Sequence, residues 1–374
     1  MSAVSMHPLE VAGIVQETAD TRSFLLTVPR ALRSAFDYLA GQFLTFAVAP
    51  GGVELRRCYS LASAPETDAW LRVTVKRVAG GRVSNWLHDE VRVGDRLAAT
   101  TPEGRFVLRA DAGDRPLLIV GAGSGIAPLM GLLKSALAGS GRRVRLLYAN
   151  RNADSVIFRD EIELLQRRYP KRFEVHHHLS GERGRLGVEE ARRLIGKHAK
   201  VGFAEGAGGA DVPDFADGAD VPDVYVCGPQ CFMDTIGAAL DSAGVAPERR
   251  FIERFFSPTG PDRIGSEDVA VPSVGAAAQA HEHFRLTMDG RTKDVAWIPG
   301  QTLLAAAVAA GTPPPSSCSD GFCGCCMARI KEGEVCMPRH DALTDDDVEK
   351  GWVLACQASP VGAAPMWVDF DARY

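Results

Sequence analysis

Hydrophobic and polar residues alternate in short runs between residues 9 and 110, and glycine and proline bound these runs. In the run Leu71–Val78, for example, apolar side chains occupy positions 71, 73 and 75. Because successive side chains of a strand point to opposite faces of a sheet, this period predicts antiparallel strands with one buried face. The first block therefore has the pattern of an antiparallel β-barrel or β-sandwich.

The pattern changes between residues 112 and 256, where apolar runs of strand length alternate with helical patterns. The predicted strands span residues 116–120, 144–148, 173–179 and 224–227. The predicted helices span residues 128–138, 159–169 and 232–243. Such alternation predicts a parallel sheet with helices on both faces. The uncharged run 116–133 is as long as a membrane span, but glycines and a proline interrupt it, which favours a strand, a turn and a helix.

The rest of the chain divides into a linker and a third domain. Residues 257–280 have the composition of an interdomain linker. Residues 281–374 form a segment long enough to fold as a domain. The hexapeptide GADVPD occurs twice, at 209–214 and 218–223. We interpret this repeat as an expanded surface loop, because a solenoid needs more and longer copies.

The composition is that of an ordinary globular protein. Of the 374 residues, 46% are hydrophobic and 24% are charged, with a net charge of −5 and a pI of about 6.0. Since no basic excess is available to neutralise phosphates, nucleic-acid binding is not expected. Residues 1–11 lack the apolar core of a signal peptide, so we expect a cytoplasmic protein without membrane contact. Residues 281–374 alone carry a net charge of −5. This negative charge would either attract a basic partner protein or keep the domain soluble.

Six of the nine cysteines lie between residues 318 and 356. Cys318, Cys323 and Cys326 have the spacing C-x4-C-x2-C, and Cys356 follows after 29 further residues. This is the ligand spacing of plant-type [2Fe–2S] clusters. Structural zinc is the alternative, but zinc prefers paired C-x2-C groups, and here the fourth cysteine stands alone. The spacing therefore predicts that these four cysteines bind a [2Fe–2S] cluster.

The residues around these cysteines resemble a known family. The segments GFCGCCMARIKEGEV (321–335) and GWVLACQA (351–358) resemble the C-terminal ferredoxin domain of flavin-dependent oxygenase reductases. The order of the three blocks is similar to that of the reductase components of bacterial multicomponent oxygenases. Within that family, the closest resemblance is to the reductase components of 3-ketosteroid 9α-hydroxylases, and these hydroxylases are Rieske oxygenases. The segments that carry it are RCYSL, VKR, SNWL, LYANR and SVIF. The phenylacetyl-CoA epoxygenase reductases are similar in layout.

This resemblance implies four parts of the chain. They are an FAD-binding antiparallel β-barrel at 9–110, an NAD(P)-binding α/β domain with a parallel sheet at 112–256, the linker at 257–280, and a β-grasp [2Fe–2S] ferredoxin domain at 281–374. Two departures from the family are visible. The loop near 202–222 is longer than expected, and Cys325 replaces a more usual small residue.

A flavin motif lies in the first block. The sequence R-x-Y-S at residues 57–60 resembles that of the ferredoxin–NADP reductase superfamily. There the arginine neutralises a flavin phosphate, the tyrosine lies against the isoalloxazine ring, and the serine bonds near the flavin N5 that accepts the hydride. The segment 81–84 would open a helix whose amides bind the diphosphate. The implied FAD-binding residues, with FMN less favoured, are Arg57, Tyr59, Ser60, Gly81, Arg82, Val83 and Ser84.

The second block carries nucleotide motifs. The run 121–125, which precedes a helix predicted from Pro128, is not G-x-G-x-x-G. It resembles the shorter glycine turn of the superfamily, where a helix N-terminus receives the dinucleotide diphosphate. The run 227–229 ends the last predicted strand, where relatives place the nicotinamide, and residues 151–155 follow the strand where the adenosine ribose is read. The implied nucleotide-binding residues are Gly121, Gly123, Ser124, Gly125, Arg151, Ser155, Cys227, Gly228 and Pro229.

The resemblance implies an electron-transfer enzyme that takes electrons from NAD(P)H, passes them through flavin and a [2Fe–2S] cluster, and delivers them to a terminal oxygenase. Tyr59, Ser60 and Cys227 are the residues expected around the hydride transfer, and NADH is favoured over NADPH by the family match. A redox-sensing module is an alternative that the two nucleotide motifs disfavour. A stand-alone oxygenase is another, but no 2-His-1-carboxylate pattern supports it.

Overall fold

The computed structural model describes residues 5–52, 54–109, 112–199, 221–255, 283–298, 300–316, 318, 321, 324–340, 342–361 and 365–372. One compact unit comprises residues 7–50 and 59–255, and another contains the C-terminal residues from 283 on. The predicted linker 257–280 lies outside the described residues, as do the first GADVPD copy and the first half of the second.

The N-terminal domain is a six-stranded antiparallel sheet with the order β4-β3-β6-β1-β2-β5. Its elements are β1 (His7–Thr18), β2 (Thr21–Thr27), β3 (Phe43–Val48), β4 (Leu55–Ser60), β5 (Leu71–Lys76), helix α1 (Arg82–Asp89) and β6 (Arg96–Ala99). Leu61, directly after β4, forms a bridge to Val73 of β5, and the Ala62 N–H donates to the Arg72 carbonyl at 2.7 Å. Because β4 and β5 are the edge strands, these contacts close the sheet into a barrel, which confirms the predicted fold class.

The second domain is a parallel five-stranded sheet with the order β11-β10-β7-β8-β9. Its elements are β7 (Leu117–Ala122), α2 (Ile126–Gly139), β8 (Val144–Asn150), α3 (Arg159–Arg168), β9 (Phe173–Leu179), α4 (Ser180–Arg183), α5 (Val188–Ala199), β10 (Asp223–Gly228), α6 (Gln230–Ser242) and β11 (Arg250–Arg254). Strand order reverses between β7 and β10. In open α/β sheets, ligands bind at the carboxyl ends of the strands beside such a reversal.

The uncharged run 116–133 forms β7, a glycine turn and most of α2, as predicted. The helix begins at Ile126 rather than at the predicted Pro128, because the turn Gly123–Gly125 is a 3-10 helix that continues directly into it. A proline is tolerated within the first helical turn, where its missing N–H has no helical partner. Among the described residues, no helix is long and apolar enough to cross a membrane.

The C-terminal domain is built on a mixed five-stranded sheet with the order β13-β12-β18-β14-β16, accompanied by the pair β15-β17. Its elements are β12 (His283–Met288), β13 (Arg291–Ala296), α7 (Leu303–Ala309), β14 (Met327–Glu332), β15 (Glu334–Cys336), α8 (Asp345–Glu349), β16 (Trp352–Leu354), β17 (Ser359–Val361) and β18 (Trp367–Asp369). One apolar face of α7 packs into the core with β12, β14 and β16. This core places the chain around Cys326 and Cys356 in a buried environment.

Candidate cofactor-binding sites

The predicted flavin motif lies on strand β4 and ends at the point where the barrel closes. The Ser60 side chain is buried, and Tyr59 is half-buried with its ring 5.7 Å from that of Phe46. Arg57 is also half-buried and donates from Nη1 to the Arg56 carbonyl at 2.7 Å. The strand therefore presents a serine hydroxyl, a phenol ring and a guanidinium within four residues, the groups needed to hold a flavin ring and its phosphate.

Helix α1 begins one residue after Gly81, as the flavin-diphosphate prediction requires. The Asn85 N–H donates to the Gly81 carbonyl as the first intrahelical bond, so the start of α1 is oriented as a helix N-terminus that can meet an anion. The Ser84 hydroxyl, however, accepts from the Val78 N–H at 3.2 Å. Arg82 donates to the Pro50 carbonyl at 3.0 Å. The Ser84 side chain therefore stabilises the turn, and its backbone N–H is the group left to bind a phosphate.

The glycine turn after β7 meets the end of β10 at the strand-order reversal. Gly125 lies so close to β10 that a Cβ there would be 2.3 Å from the Cys227 carbonyl oxygen and 2.6 Å from the Gly228 nitrogen. Both contacts are with backbone, which cannot move aside. The Tyr148 hydroxyl on the neighbouring strand donates to the Gly123 carbonyl at 3.0 Å and holds the turn in place. Sequence reasoning missed Tyr148, since only the parallel pairing of β7 and β8 brings it there.

Cys227 is fully buried at the end of β10, in register with Gly121 on β7 and Glu253 on β11. Burial raises the pKa of the Cys227 thiol well above its usual value, and the negative charge of Glu253 raises it further. The thiol is therefore neutral at physiological pH. A neutral, small side chain is compatible with a flat ring stacked nearby and brings no competing nucleophile.

The predicted adenosine-reading residues lie in the loop between β8 and α3. The Arg151 side chain is exposed, and its carbonyl accepts from the Gly181 N–H at 2.8 Å. Ser155 has a different local role, because its hydroxyl accepts from the Asn152 N–H at 3.1 Å. The Asn152 side chain in turn accepts from the Ser155 N–H at 3.1 Å, which completes a capping box. The Arg151 side chain can thus extend toward a ligand, whereas the Ser155 side chain stabilises the conformation of the loop.

Of the predicted cluster ligands, Cys318, Cys326 and Cys356 are buried in the C-terminal domain, and Cys323 lies outside the described residues. The structure brings Cys326 and Cys356 together, since the Cys356 N–H donates to the Cys326 sulfur at 3.5 Å. Within the described ranges, no three histidine, cysteine or acidic side chains are close enough to hold a metal ion. The four-cysteine ligand set therefore remains a prediction.

The surroundings of the cysteines fit a thiolate-bound cluster. The Gln357 amide donates to the Cys356 sulfur at 3.7 Å, and N–H donors of this kind stabilise anionic sulfur. Gly321 has a φ of +81°, and a Cβ there would lie 2.8 Å from the Gln357 side chain. The glycine in the C-x4-C segment thus permits both the turn and the position of Gln357. Sequence reasoning missed Gln357, although its place directly after the fourth cysteine was a usable signal.

Three family descriptions match successive parts of the chain. Residues 8–108 match an oxidoreductase FAD-binding domain, residues 119–237 an oxidoreductase NAD-binding domain, and residues 286–361 a 2Fe-2S iron-sulfur cluster binding domain. The three folds and these matches define an NAD(P)H-dependent oxidoreductase that carries FAD and a [2Fe–2S] cluster, which confirms the cofactors predicted from the sequence.

Full-length relatives narrow this class. The chain is 37% identical over 354 residues to the ferredoxin reductase component of the 3-ketosteroid-9-alpha-monooxygenase of Rhodococcus rhodochrous, covering 94% of each chain. It is 29% identical to a subunit of the 1,2-phenylacetyl-CoA epoxidase of Escherichia coli, covering 99% of each. The fold of phthalate dioxygenase reductase matches over 98% of both chains, with a TM-score of 0.57 and 23% identity. The chain belongs to the family of reductase components of multicomponent oxygenases.

Proposed function

We propose that this reductase uses NADH, places the nicotinamide between the glycine turn and the end of β10, and serves the terminal oxygenase of a 3-ketosteroid 9α-monooxygenase of Rieske type. The observation that carries the site is the backbone contact between Gly125 and Cys227, because it joins the two predicted nucleotide segments at the strand-order reversal. When bound, NADH supplies a hydride, FAD accepts its two electrons, and the [2Fe–2S] cluster carries them singly.

The protein's own groups position and shield the reacting rings. The amides at the start of α2 bind the dinucleotide diphosphate, and those at the start of α1 bind the flavin diphosphate. Tyr59 and Ser60 orient the flavin ring from the barrel side, and Cys227 leaves room for the nicotinamide. Hydride transfer needs no general base from the protein, so positioning accounts for most of the catalysis. We further propose that the protein works in the cytoplasm, since clustered reduced cysteines suit that compartment.

The order of electron transfer can be tested with Cys318→Ser. We expect this variant to lose NADH-dependent reduction of cytochrome c while it keeps reduction of ferricyanide by the flavin, because only the first reaction needs the cluster. Cys336→Ser is the matched control, since Cys336 is exposed and outside the ligand spacing. If Cys318→Ser reduces both acceptors like the wild type, the proposed order is wrong.

The partner can be tested by reconstitution with purified terminal oxygenases. The identity of 37% to the ketosteroid reductase, against 29% to the epoxidase protein, favours the ketosteroid oxygenase. We expect NADH-dependent hydroxylation of a 3-ketosteroid when the two proteins are mixed, and a lower rate with NADPH at equal concentration. Product formation only with the phenylacetyl-CoA epoxidase components would refute the assignment of the partner and leave the relay intact.

A further inference from the structure

One carboxylate, Glu161, joins two buried cations from different parts of the first compact unit. Arg72 on barrel strand β5 bonds to Glu161 through Nη1 and Oε2 at 2.6 Å, and Lys134 on helix α2 approaches its other oxygen to 3.2 Å. The side chains of Arg72 and Lys134 are only 12% and 5% exposed. Glu161 itself lies in the first turn of α3, so it links α3 both to α2 and to the barrel.

Each cation also has a second carboxylate on the barrel. Arg72 pairs with Glu17 of β1 at 2.6 Å, and Lys134 pairs with Asp68, in the segment before β5, at 2.9 Å. We call these five charged side chains the Glu161 joint. Loss of the Glu161 charge leaves Arg72 and Lys134 with one carboxylate each, so neither becomes an unpaired buried cation, the case that is strongly destabilising.

The joint lies where the nucleotide domain meets the flavin strand. Two turns before Lys134, helix α2 begins at the glycine turn, and Gly131 packs so closely that a Cβ there would be 3.0 Å from the Leu61 carbonyl oxygen. Leu61 directly follows the R-x-Y-S strand. The orientation of α2 against the barrel therefore sets the separation between the nicotinamide and flavin segments.

Helix α3 packs into the apolar core through Ile162, and its side toward the joint is more open. An open surface groove of about 400 Å³ adjoins the joint and is bordered by Glu17, Arg72, Phe158 and Glu161. On this side the Arg72 guanidinium lies 4.5 Å above the ring of Phe158, the residue before α3. The ion pairs of Glu161 therefore add polar contacts between α3, α2 and the barrel on the side where the apolar packing ends.

We propose that Glu161 is a positioning residue for hydride transfer, which locks the nucleotide domain onto the flavin barrel in the geometry that the reaction needs. The proposal rests on the function proposed above. It separates two steps. Binding of NADH to the nucleotide domain does not need the bonds of Glu161, whereas alignment of the nicotinamide with the flavin does.

Glu161→Gln tests this in the full-length holoprotein by stopped-flow reduction of the flavin with NADH. We expect the rate at saturating NADH to fall about tenfold or more, because small misplacements of reacting groups are costly, while the dissociation constant of NADH stays within about twofold. The charge-transfer absorbance that forms when NADH meets the oxidised flavin should weaken in parallel. A merely structural role would not change that absorbance.

Glu17→Gln is the matched control, because it removes a carboxylate from the same joint but breaks only a bond within the barrel. It should lower the melting temperature at least as much as Glu161→Gln and leave the flavin reduction rate unchanged. Equal rate losses in both variants, or no loss in Glu161→Gln, would overturn the proposal. If Glu161→Gln does not fold, Glu161→Asp, which is too short to reach both cations, gives the same test. A wild type that NADH does not reduce would instead overturn the proposed function.

Discussion

At the residue scale, Cys227 shows how burial decides chemistry. The side chain is fully enclosed at the end of β10, and both burial and the charge of Glu253 raise the pKa of its thiol. At a pH above its ordinary pKa, an exposed cysteine in such a motif would be a reactive thiolate. Burial instead keeps the Cys227 thiol in its neutral form. We therefore expect Cys227 to act through its size and neutrality.

The raised pKa of Cys227 predicts a pH dependence of stability. In the unfolded chain the thiol ionises near its ordinary pKa of about 8.5, while the folded thiol keeps its proton to higher pH. Above that pH the folded state holds more protons, so the free energy of unfolding falls, with a slope of up to about 1.4 kcal/mol per pH unit for this group. Denaturant unfolding from neutral to alkaline pH should show this loss in the wild type.

Cys227→Ala isolates the contribution of this thiol. The variant lacks the group, so the difference in the free energy of unfolding between wild type and variant should shrink as the pH rises above about 8.5. Other titrating groups are common to both proteins and cancel in this comparison. A difference that stays constant with pH would show that the folded thiol ionises normally.

At the element scale, the turn between β7 and α2 depends on one glycine. Gly125→Ala should lower the free energy of unfolding by about 2 kcal/mol or more and weaken NADH binding, because its Cβ would overlap the backbone of Cys227. Gly237→Ala is the control, since it lies in α6 with no atom within 4 Å of the added Cβ. That change should be neutral or stabilising by up to about 1 kcal/mol. Urea unfolding and NADH titration measure both effects.

In the loop between β8 and α3, we predict that Ser155 stabilises the fold and that Arg151 binds the nucleotide. Ser155→Ala removes half of a capping box, so it should cost about 1 kcal/mol of stability, and Asn152→Ala should cost a similar amount. Arg151→Ala leaves the cap intact and should instead raise the KM for the nucleotide. A large rise in KM for Ser155→Ala without loss of stability would show that its hydroxyl contacts the ligand directly.

At the scale of the whole molecule, the chain forms two compact units. We expect the stability of the C-terminal unit to depend on the iron–sulfur cluster. Calorimetry of the holoprotein should resolve two transitions. Removal of iron by an anaerobic chelator should lower or abolish the transition of the C-terminal unit, because cluster binding contributes to folding where four thiolates converge. The other transition, and reduction of ferricyanide, should persist. A single transition that shifts as a whole would show that the units unfold together.

The sequence alone determined the classes of element and the order of the domains. The period of two in Leu71–Val78, the glycine turn after β7 and the spacing of the cysteines are local patterns, and local patterns specify strands, turns and ligand types directly. The barrel, the parallel sheet and the iron–sulfur domain were therefore predictable, as was the family, whose motifs are short and contiguous.

Only the tertiary structure decided which groups of different elements meet. The contact of Gly125 with the Cys227 carbonyl, the bond from Tyr148 to Gly123, and the sharing of Glu161 by two cations all join residues far apart in the chain. It also decided that the hydroxyls of Ser84 and Ser155 bond to nearby backbone. A local pattern names a polar group, but its partner depends on which buried donors and acceptors the packed elements bring within reach.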